Sequence, residues 1–271
     1  MTVARDDSYA ARKAALLEGL AALQSVAVAF SGGVDSGVLL HAAHAVLGDR
    51  CAAVIADSAS LPRRELEAAR AFADRIGVRL EVARTDELEN PAYRANLGDR
   101  CFHCKSALFS SMRPWAESRG YRALAFGEIT DDRLDDRPGA RAAGQFGVVA
   151  PLADAGFGKD DVRRYAREAA LELAEKPASA CLASRIPVNT EVTRERLARV
   201  EVAEASLHDL GLAILRVRHH GSLARLELGR DEYARLAELE PELRTRLAAA
   251  GFEDVEFARY WSPTERATGA R

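Results

Sequence analysis

Residues Ser31-Gly32-Gly33-Val34-Asp35-Ser36 decide how this chain is read. An apolar run, Val26-Ala27-Val28-Ala29-Phe30, leads into them and reads as a buried parallel strand. Behind them Gly37-Val38-Leu39-Leu40-His41-Ala42-Ala43 has apolar residues at helical spacing. A glycine-rich turn between a strand and a helix N-terminus offers backbone N–H groups and the positive helix end to an anion. Gly32 and Gly33 allow positive φ and close approach of backbone to ligand. Ser31 and Ser36 add hydroxyls, and Asp35 adds a carboxylate suited to Mg2+ beside phosphates. The pattern GxxxxGK[ST] is absent, and no lysine stands in the turn. A plain Gly-Ser turn is the competing reading, and the full strand–loop–helix context favours a nucleotide.

SGGVDS resembles the PP-loop of ATP pyrophosphatases, which split ATP between its α- and β-phosphates. The resemblance implies a loop that grips the leaving pyrophosphate while a substrate oxygen is adenylylated.

Working outward, Ser8 to Leu23 reads as an amphipathic helix with Leu16, Leu17, Leu20 and Leu23 on one side. Ala52 to Ala56 reads as a second strand ending in Asp57-Ser58. Arg63 to Ile76 reads as a helix closed by Gly77, and Val78 to Ala83 as a third strand. Strands and helices alternating at this spacing imply an α/β fold with a doubly wound parallel sheet. Ligands in such sheets sit beyond the carboxyl ends of strands, where SGGVDS and Asp57-Ser58 both fall. Asn90 to Arg100 reads as an irregular loop delivering Cys101-Phe102-His103-Cys104-Lys105 ahead of a helix to about Arg119. Ala123 to Gly127 is another strand, Asp135 to Gly139 a polar loop, and Lys159 to Ala170 a helix.

After about Thr190 the composition changes. A helix from Arg194 to Leu210 and a hairpin of Ala213–His219 with Leu223–Leu228 around Gly221-Ser222 are expected. Two helical pieces separated by Pro241 and a last strand, Val255 to Tyr260, complete a small C-terminal α+β domain. The expected organisation is a nucleotide domain over 1–188, the small domain over 189–261, and a disordered tail over 262–271. No internal repeat is visible.

At 271 residues the chain is long enough for a sizeable core, and its net charge of −3 argues against a general nucleic-acid-binding surface. No apolar segment reaches membrane-spanning length, and Met1 to Asp7 lacks a secretion signal's apolar core. A soluble cytoplasmic protein is expected, with its four cysteines as thiols or ligands rather than disulfides. Cys51, at the start of a strand, reads as a small buried apolar residue. Cys101 and Cys104 form a C-x-x-C pair, and Cys181 sits in the turn before Ser184-Arg185. Soft thiolates select Zn2+, copper or iron–sulfur clusters. Three cysteines fall one ligand short of a structural zinc site, and His103 between the pair is awkwardly placed to complete it. A [4Fe–4S] cluster on three cysteines would keep one iron open. The residues alone leave cluster, thiol or persulfide carrier, and zinc all standing.

SGGVDS, NPAYRANLGDRCFHCK, GEITDDRLDDRPGARAA, EKPASACLASRIP and LRVRHHGSLARLEL together resemble the LarE family across nearly the whole chain. That family comprises ATP-dependent sulfur transferases of nickel-pincer nucleotide biosynthesis. The resemblance implies adenylylation of a carboxylate of pyridinium-3,5-biscarboxylic acid mononucleotide and its conversion to a thiocarboxylate. Family members supply sulfur either by sacrificing a protein cysteine or from a [4Fe–4S] cluster on three cysteines. Aligned without gaps from Lys176 to Arg185, the sacrificial cysteine falls at Ala180, with Cys181 its neighbour. The resemblance therefore implies the cluster type, with Cys101, Cys104 and Cys181 as ligands, and keeps sacrifice of Cys181 as the alternative. It also implies a homo-oligomer, and leaves the source of sulfide open.

On this reading ATP and Mg2+ are held by Ser31, Gly32, Gly33, Asp35 and Ser36, with adenine near Asp57 and Ser58. Cys181 and Asp35 carry the chemistry. Arg137, Ser184, Arg185, Arg216 and Arg218 are the candidates for substrate phosphate and carboxylates, through bidentate hydrogen bonds where arginine supplies them. Each has a plainer reading, as a surface ion pair, a turn cap or a solvated strand face. Glu227 is weighed as a metal contact, which a nickel-linked family would suggest, against an exposed strand residue, the reading preferred; His219 and His220 are expected at the surface, and Asp131 and Asp132 are given no chemical step. The rivals are a tRNA thiolase with PP-loop and cysteines, an ammonia-using amide synthetase, and a non-catalytic nucleotide-binding module.

Overall fold

The computed structural model describes residues 3–134, 138–177, 180–261 and Glu265. The chain forms two compact units, one of Met1–Tyr93 with Asp99–Ser179, the other of Arg94–Gly98 with Ala180–Arg271. The second unit therefore begins before residue 189 and contains the Cys181 turn.

In the first unit β1 (Val26–Ala29), β2 (Cys51–Asp57), β3 (Arg79–Arg84) and β4 (Ala123–Phe126) form an all-parallel sheet in the order β3-β2-β1-β4. Alternation along the strands explains why the central ones are apolar throughout. Val26, Val28, Phe30, Ala53 and Ile55 join one core, whereas Ala27, Ala29 and Val54 join another on the opposite face. The first core is covered by α1 (Val3–Ala22), α2 (Val34–Leu47), α3 (Arg63–Arg75) and a later helix over Lys159–Glu168. On α3 the inward residues Leu66, Ala69, Phe72 and Ala73 recur at helical spacing, and Phe72 meets Phe30 with ring centroids 5.5 Å apart. Cys51 is buried among them, and burial pushes its thiol up to about 12.

Asn90 to Arg100 is more ordered than expected. Asn90 Oδ1 accepts the Ala92 N–H at 2.9 Å and starts α4 (Pro91–Ala95), where Tyr93 is buried with its hydroxyl against Ser60 Oγ. The next helix, α5 (Arg100–Ser118), starts before Cys101, so the C-x-x-C pair lies within its N-terminal end and not in a loop. Then come α6 (Pro138–Gln145), α7 (Pro151–Asp154) and α8 (Lys159–Glu168). With α5 and α6 on the second face, the order 3-2-1-4 puts a topological switch between β1 and β4. SGGVDS leaves β1 at that switch.

In the second unit α9 (Arg194–His208) packs on β5 (Leu215–His220), β6 (Leu223–Leu228) and β7 (Asp254–Arg259), with β5–β6 antiparallel and β6–β7 parallel. Before β7 come α10 (Arg230–Ala234) and α11 (Leu236–Ala249). The helical break falls at Arg235, and Pro241 lies inside α11 as its sixth residue, where it forgoes one i→i−4 bond. Arg94–Gly98 joins this unit through Asn96, fully buried, whose Nδ2 donates to Pro187 O at 2.7 Å and Thr190 O at 2.9 Å. The core is built from Leu215, Val217, Ala224, Leu226 and Leu228 on one sheet face, against Leu207, Leu243 and Leu247.

His219 belongs to that inner face and is buried against Phe252, contrary to the expected surface position; His220 is exposed. Nδ1 of His219 accepts the Gly221 N–H, and Nε2 has no partner among the described residues. Burial, reinforced by Arg199, lowers its pKa below the usual 6.5. The unfolded chain thus binds a proton more readily, so stability present above about pH 6.5 falls as pH drops toward the folded-state pKa. His41 in the first unit is lowered in the same direction, again mainly by burial. Wild type should therefore lose more denaturation midpoint between about pH 7.5 and about pH 5.5 than His219→Leu. Equal losses would contradict this assignment.

Candidate functional site

Within the first unit the loop is set by its own backbone. Gly32 has φ +74°, the left-handed region that favours glycine, whereas Gly33 has φ −85° and caps α2 in an extended conformation. Ser36 is buried; its hydroxyl donates to Gly33 O at 3.2 Å, accepts Ser31 N–H at 3.2 Å and lies 3.1 Å from Ser31 Oγ. Ser36 therefore braces the loop, and Ser31 is the exposed hydroxyl. Gly127, at the end of β4, packs on this brace: a Cβ there would lie 2.7 Å from Ser36 N, a backbone atom with little freedom to move. That glycine requirement was not apparent from sequence.

Asp35 is in the first turn of α2, where its charge suits the helix dipole. Both its oxygens accept from Lys159 Nζ, at 2.8 and 2.9 Å. Lys176 Nζ donates to Gly32 O at 2.9 Å and to Glu65 Oε2 at 2.7 Å. At the end of neighbouring β2, Asp57 pairs with Arg63, which also donates to Ser58 O at 2.8 Å. Ser58 Oγ accepts the Ser60 N–H at 3.2 Å, closing a local turn. Asp131 Oδ2 accepts the Lys159 N–H at 2.9 Å, at the start of α8.

Cys101 and Cys104, three residues apart on α5, share a helix side; Cys101 is exposed and Cys104 half-buried. Cys104 Sγ donates to the buried Glu87 carboxylate at 3.2 Å. Both ring nitrogens of His103 are engaged, with Asn90 at 3.3 Å and Asp99 at 3.2 Å. Lys105 follows with its ammonium 4.6 Å from the Phe126 ring centroid. Burial lowers its pKa, opposed by Cys101, Glu128, Asp132 and Cys104. Gly139 leaves room for this side chain, since a Cβ there would lie 2.8 Å from Nζ.

Within the second unit Cys181 is exposed at the start of a single 3-10 turn, Leu182–Arg185, and its carbonyl accepts the Ser184 N–H at 3.0 Å. Arg185 is not an open anion receptor. It is buried and bidentate to buried Glu204, at 2.8 and 3.0 Å, while Nη1 reaches Ala180 O at 2.7 Å, Cys181 O at 3.2 Å and Ser184 Oγ at 3.0 Å. Glu204 also accepts the Val217 N–H at 2.9 Å. The Cys181 turn is thus tied to α9 and β5 through one guanidinium.

Arg216 and Arg218 share the outer face of β5. Arg218 donates to Glu227 Oε2 at 3.1 and 2.9 Å and to Ser184 O at 2.9 Å. Glu227 is accordingly half-buried rather than exposed. Arg216 lies 4.3 Å from the Tyr260 ring centroid, and burial holds its pKa below the ordinary arginine value, with Arg185 and Arg218 adding to the effect. Beside them is a cavity of about 210 Å3 lined by Ser184, Arg185, Pro187, Arg218, His220, Arg225 and Glu227. With Arg185 committed to Glu204, the guanidiniums its lining could turn to a phosphate or carboxylate are those of Arg218, which pairs with Glu227, and Arg225. Arg137 lies outside the described residues.

None of the four cysteines forms a disulfide. Among the described residues no group of three or more His, Cys, Asp or Glu side chains is gathered as a metal site. Cys101 and Cys104 belong to the first unit and Cys181 to the second. No described helix is long and apolar enough to cross a membrane.

No family model matches the chain. Relatives are found among characterised and uncharacterised proteins. An uncharacterised protein of Synechocystis sp. is 42% identical over 206 residues, 76% of this chain and 77% of that protein. The pyridinium-3,5-bisthiocarboxylic acid mononucleotide synthase of Lactiplantibacillus plantarum is 34% identical over 249 residues, 92% of this chain and 90% of the synthase. An uncharacterised protein of Methanocaldococcus jannaschii is 27% identical over 232 residues.

Proposed function

Since this chain belongs to the LarE family of pyridinium-3,5-bisthiocarboxylic acid mononucleotide synthases, we propose that it is an ATP-dependent sulfur transferase acting on a carboxylate of pyridinium-3,5-biscarboxylic acid mononucleotide. The observation that carries this reading is the similarity to the Lactiplantibacillus plantarum synthase over nearly the full length of both chains. The SGGVDS loop at the switch point of a parallel sheet supports the nucleotide half of it.

In the first step a substrate carboxylate oxygen attacks the α-phosphorus of ATP, and the bond to the β-phosphate breaks. Loop N–H groups at the start of α2 stabilise charge on the departing pyrophosphate. Asp35, an oxygen donor at the loop's edge, is the residue that would hold Mg2+. Adenylylation replaces oxide, a poor leaving group, with AMP. In the second step a sulfur nucleophile attacks the acyl carbon and the bond to AMP breaks. The arginine-rich cavity beside Ser184 suits the phosphate of the pyridinium mononucleotide.

Three thiols outside any disulfide, two of them exposed, suit an iron–sulfur ligand set, so Cys101, Cys104 and Cys181 would hold a [4Fe–4S] cluster. Such a cluster would supply sulfide. The same thiols also fit a second reading, in which exposed Cys181 itself gives up its sulfur. The function is tested by following pyrophosphate and AMP with ATP, Mg2+ and the dicarboxylate nucleotide. Release of both that requires the nucleotide supports the reading. Nucleotide binding without such release would leave a non-catalytic module.

A further inference from the structure

Two histidines on α2 take no part in the nucleotide loop. His41 and His44 are three residues apart on one side of that helix, and both line a cavity of about 290 Å3 together with Phe72, Arg75, Ile76 and Glu172. The cavity belongs to the first unit and lies beside the amino ends of β2 and β3, whereas SGGVDS leaves the carboxyl end of β1. Along α2 His41 is about 10 Å from the first residue, Val34. The cavity is a site apart from the nucleotide.

The outer nitrogen of each ring already has a partner. His44 Nδ1 lies 3.2 Å from the carbonyl oxygen of Gly48, which only accepts, so Nδ1 carries the hydrogen and Nε2 the lone pair. His41 Nδ1 lies 3.0 Å from the Tyr165 hydroxyl. Imidazoles that bind metals have such a partner on the second nitrogen, which fixes tautomer and ring orientation. Burial, with His44 and Lys13 adding to it, lowers the His41 pKa, so its ring is neutral at neutral pH.

The field in the cavity suits a cation. The last turns of α2 and α3 and the end of α8 reach it through Ala45, Arg75 and Ala169, and helix C-termini carry partial negative charge. Arg75 and Lys13 do not oppose this with free charge, since Glu172 pairs with the first and Glu168 with the second.

We propose that His41 and His44 form a cation site separate from the nucleotide loop, taking a divalent metal of the zinc, nickel or copper class through Nε2 of both rings. Neutral imidazole is the side chain that suits these ions. Two protein ligands leave the other positions to water, for which the cavity has room. With Nε2 on the ion, His41 Nδ1 donates to the Tyr165 hydroxyl oxygen.

The test is titration with Ni2+ of the full chain carrying Cys101→Ala, Cys104→Ala and Cys181→Ala, which removes the competing thiols. Calorimetry should find one Ni2+ per chain. In the same background His41→Ala or His44→Ala should weaken binding by more than about 10-fold, and Tyr165→Phe, which removes only an outer partner, on the order of 10-fold. Because Ni2+ is paramagnetic, the ring signals of His41 and His44 should also broaden before those of the other histidines, a readout that needs no histidine variant. Unchanged affinity in either histidine variant would overturn the proposal. So would broadening that begins at other histidines, or a chain that binds no Ni2+.

Discussion

Asp35→Ala is expected to lose substrate-dependent pyrophosphate release by at least about 100-fold, the scale of removing a preorganised electrostatic contributor to a charged transition state. The fold should barely notice. The Asp35–Lys159 pair is partly exposed, and such pairs contribute at most about 1 kcal/mol, as does a carboxylate in a helix first turn. Thermal midpoint and iron content should therefore stay near wild type while turnover collapses. Asp35→Asn keeps the shape and should be nearly as inactive. Full pyrophosphate release by either variant would remove Asp35 from the mechanism.

The largest stability effect is expected from Glu204→Ala. It would strand the buried Arg185 guanidinium and leave the Val217 N–H without its acceptor. Removing one partner of a buried ion pair costs about 3–5 kcal/mol. Arg185 also holds the carbonyls of Ala180 and Cys181, so surviving activity should fall further than stability alone explains. The double variant Arg185→Met, Glu204→Leu separates these effects, because apolar replacement of a buried pair is often nearly neutral for folding. It should recover part of the denaturation midpoint, the Val217 N–H still lacking its acceptor, but not sulfur transfer, since the Cys181 turn has lost its tether. Recovery of both would mean the pair serves only the core. A Glu204→Ala protein as stable as wild type would contradict the burial seen for the pair.

The nucleotide loop was legible because its signal is local: an apolar strand, two glycines and a helix start adjacent in the chain. The parallel sheet followed from repeating that pattern, and the C-terminal hairpin from alternation broken at Gly221-Ser222. What stayed hidden is long-range. Lys159 and Lys176 lie 124 and 144 residues from the loop atoms they contact, and nothing in their own neighbourhoods marks them. Gly127 looks like an ordinary strand end until its closeness to Ser36 is seen. Arg185 and Glu227 could be read as exposed charges because their partners, Glu204 and Arg218, are brought to them by folding. His219 sits at an inward position of β5, which the alternation Leu215, Val217, His219 already marks. Composition encouraged the surface reading, whereas the period of two was the better guide.

The most direct test of the account is mass spectrometry of the pyridinium product after anaerobic turnover with ATP and Mg2+. The expected result is one carboxylate oxygen exchanged for sulfur per AMP and pyrophosphate released, with none formed when ATP is omitted. AMP and pyrophosphate released with an amide product, or with the dicarboxylate returned unchanged under sulfur-replete conditions, would contradict sulfur transfer.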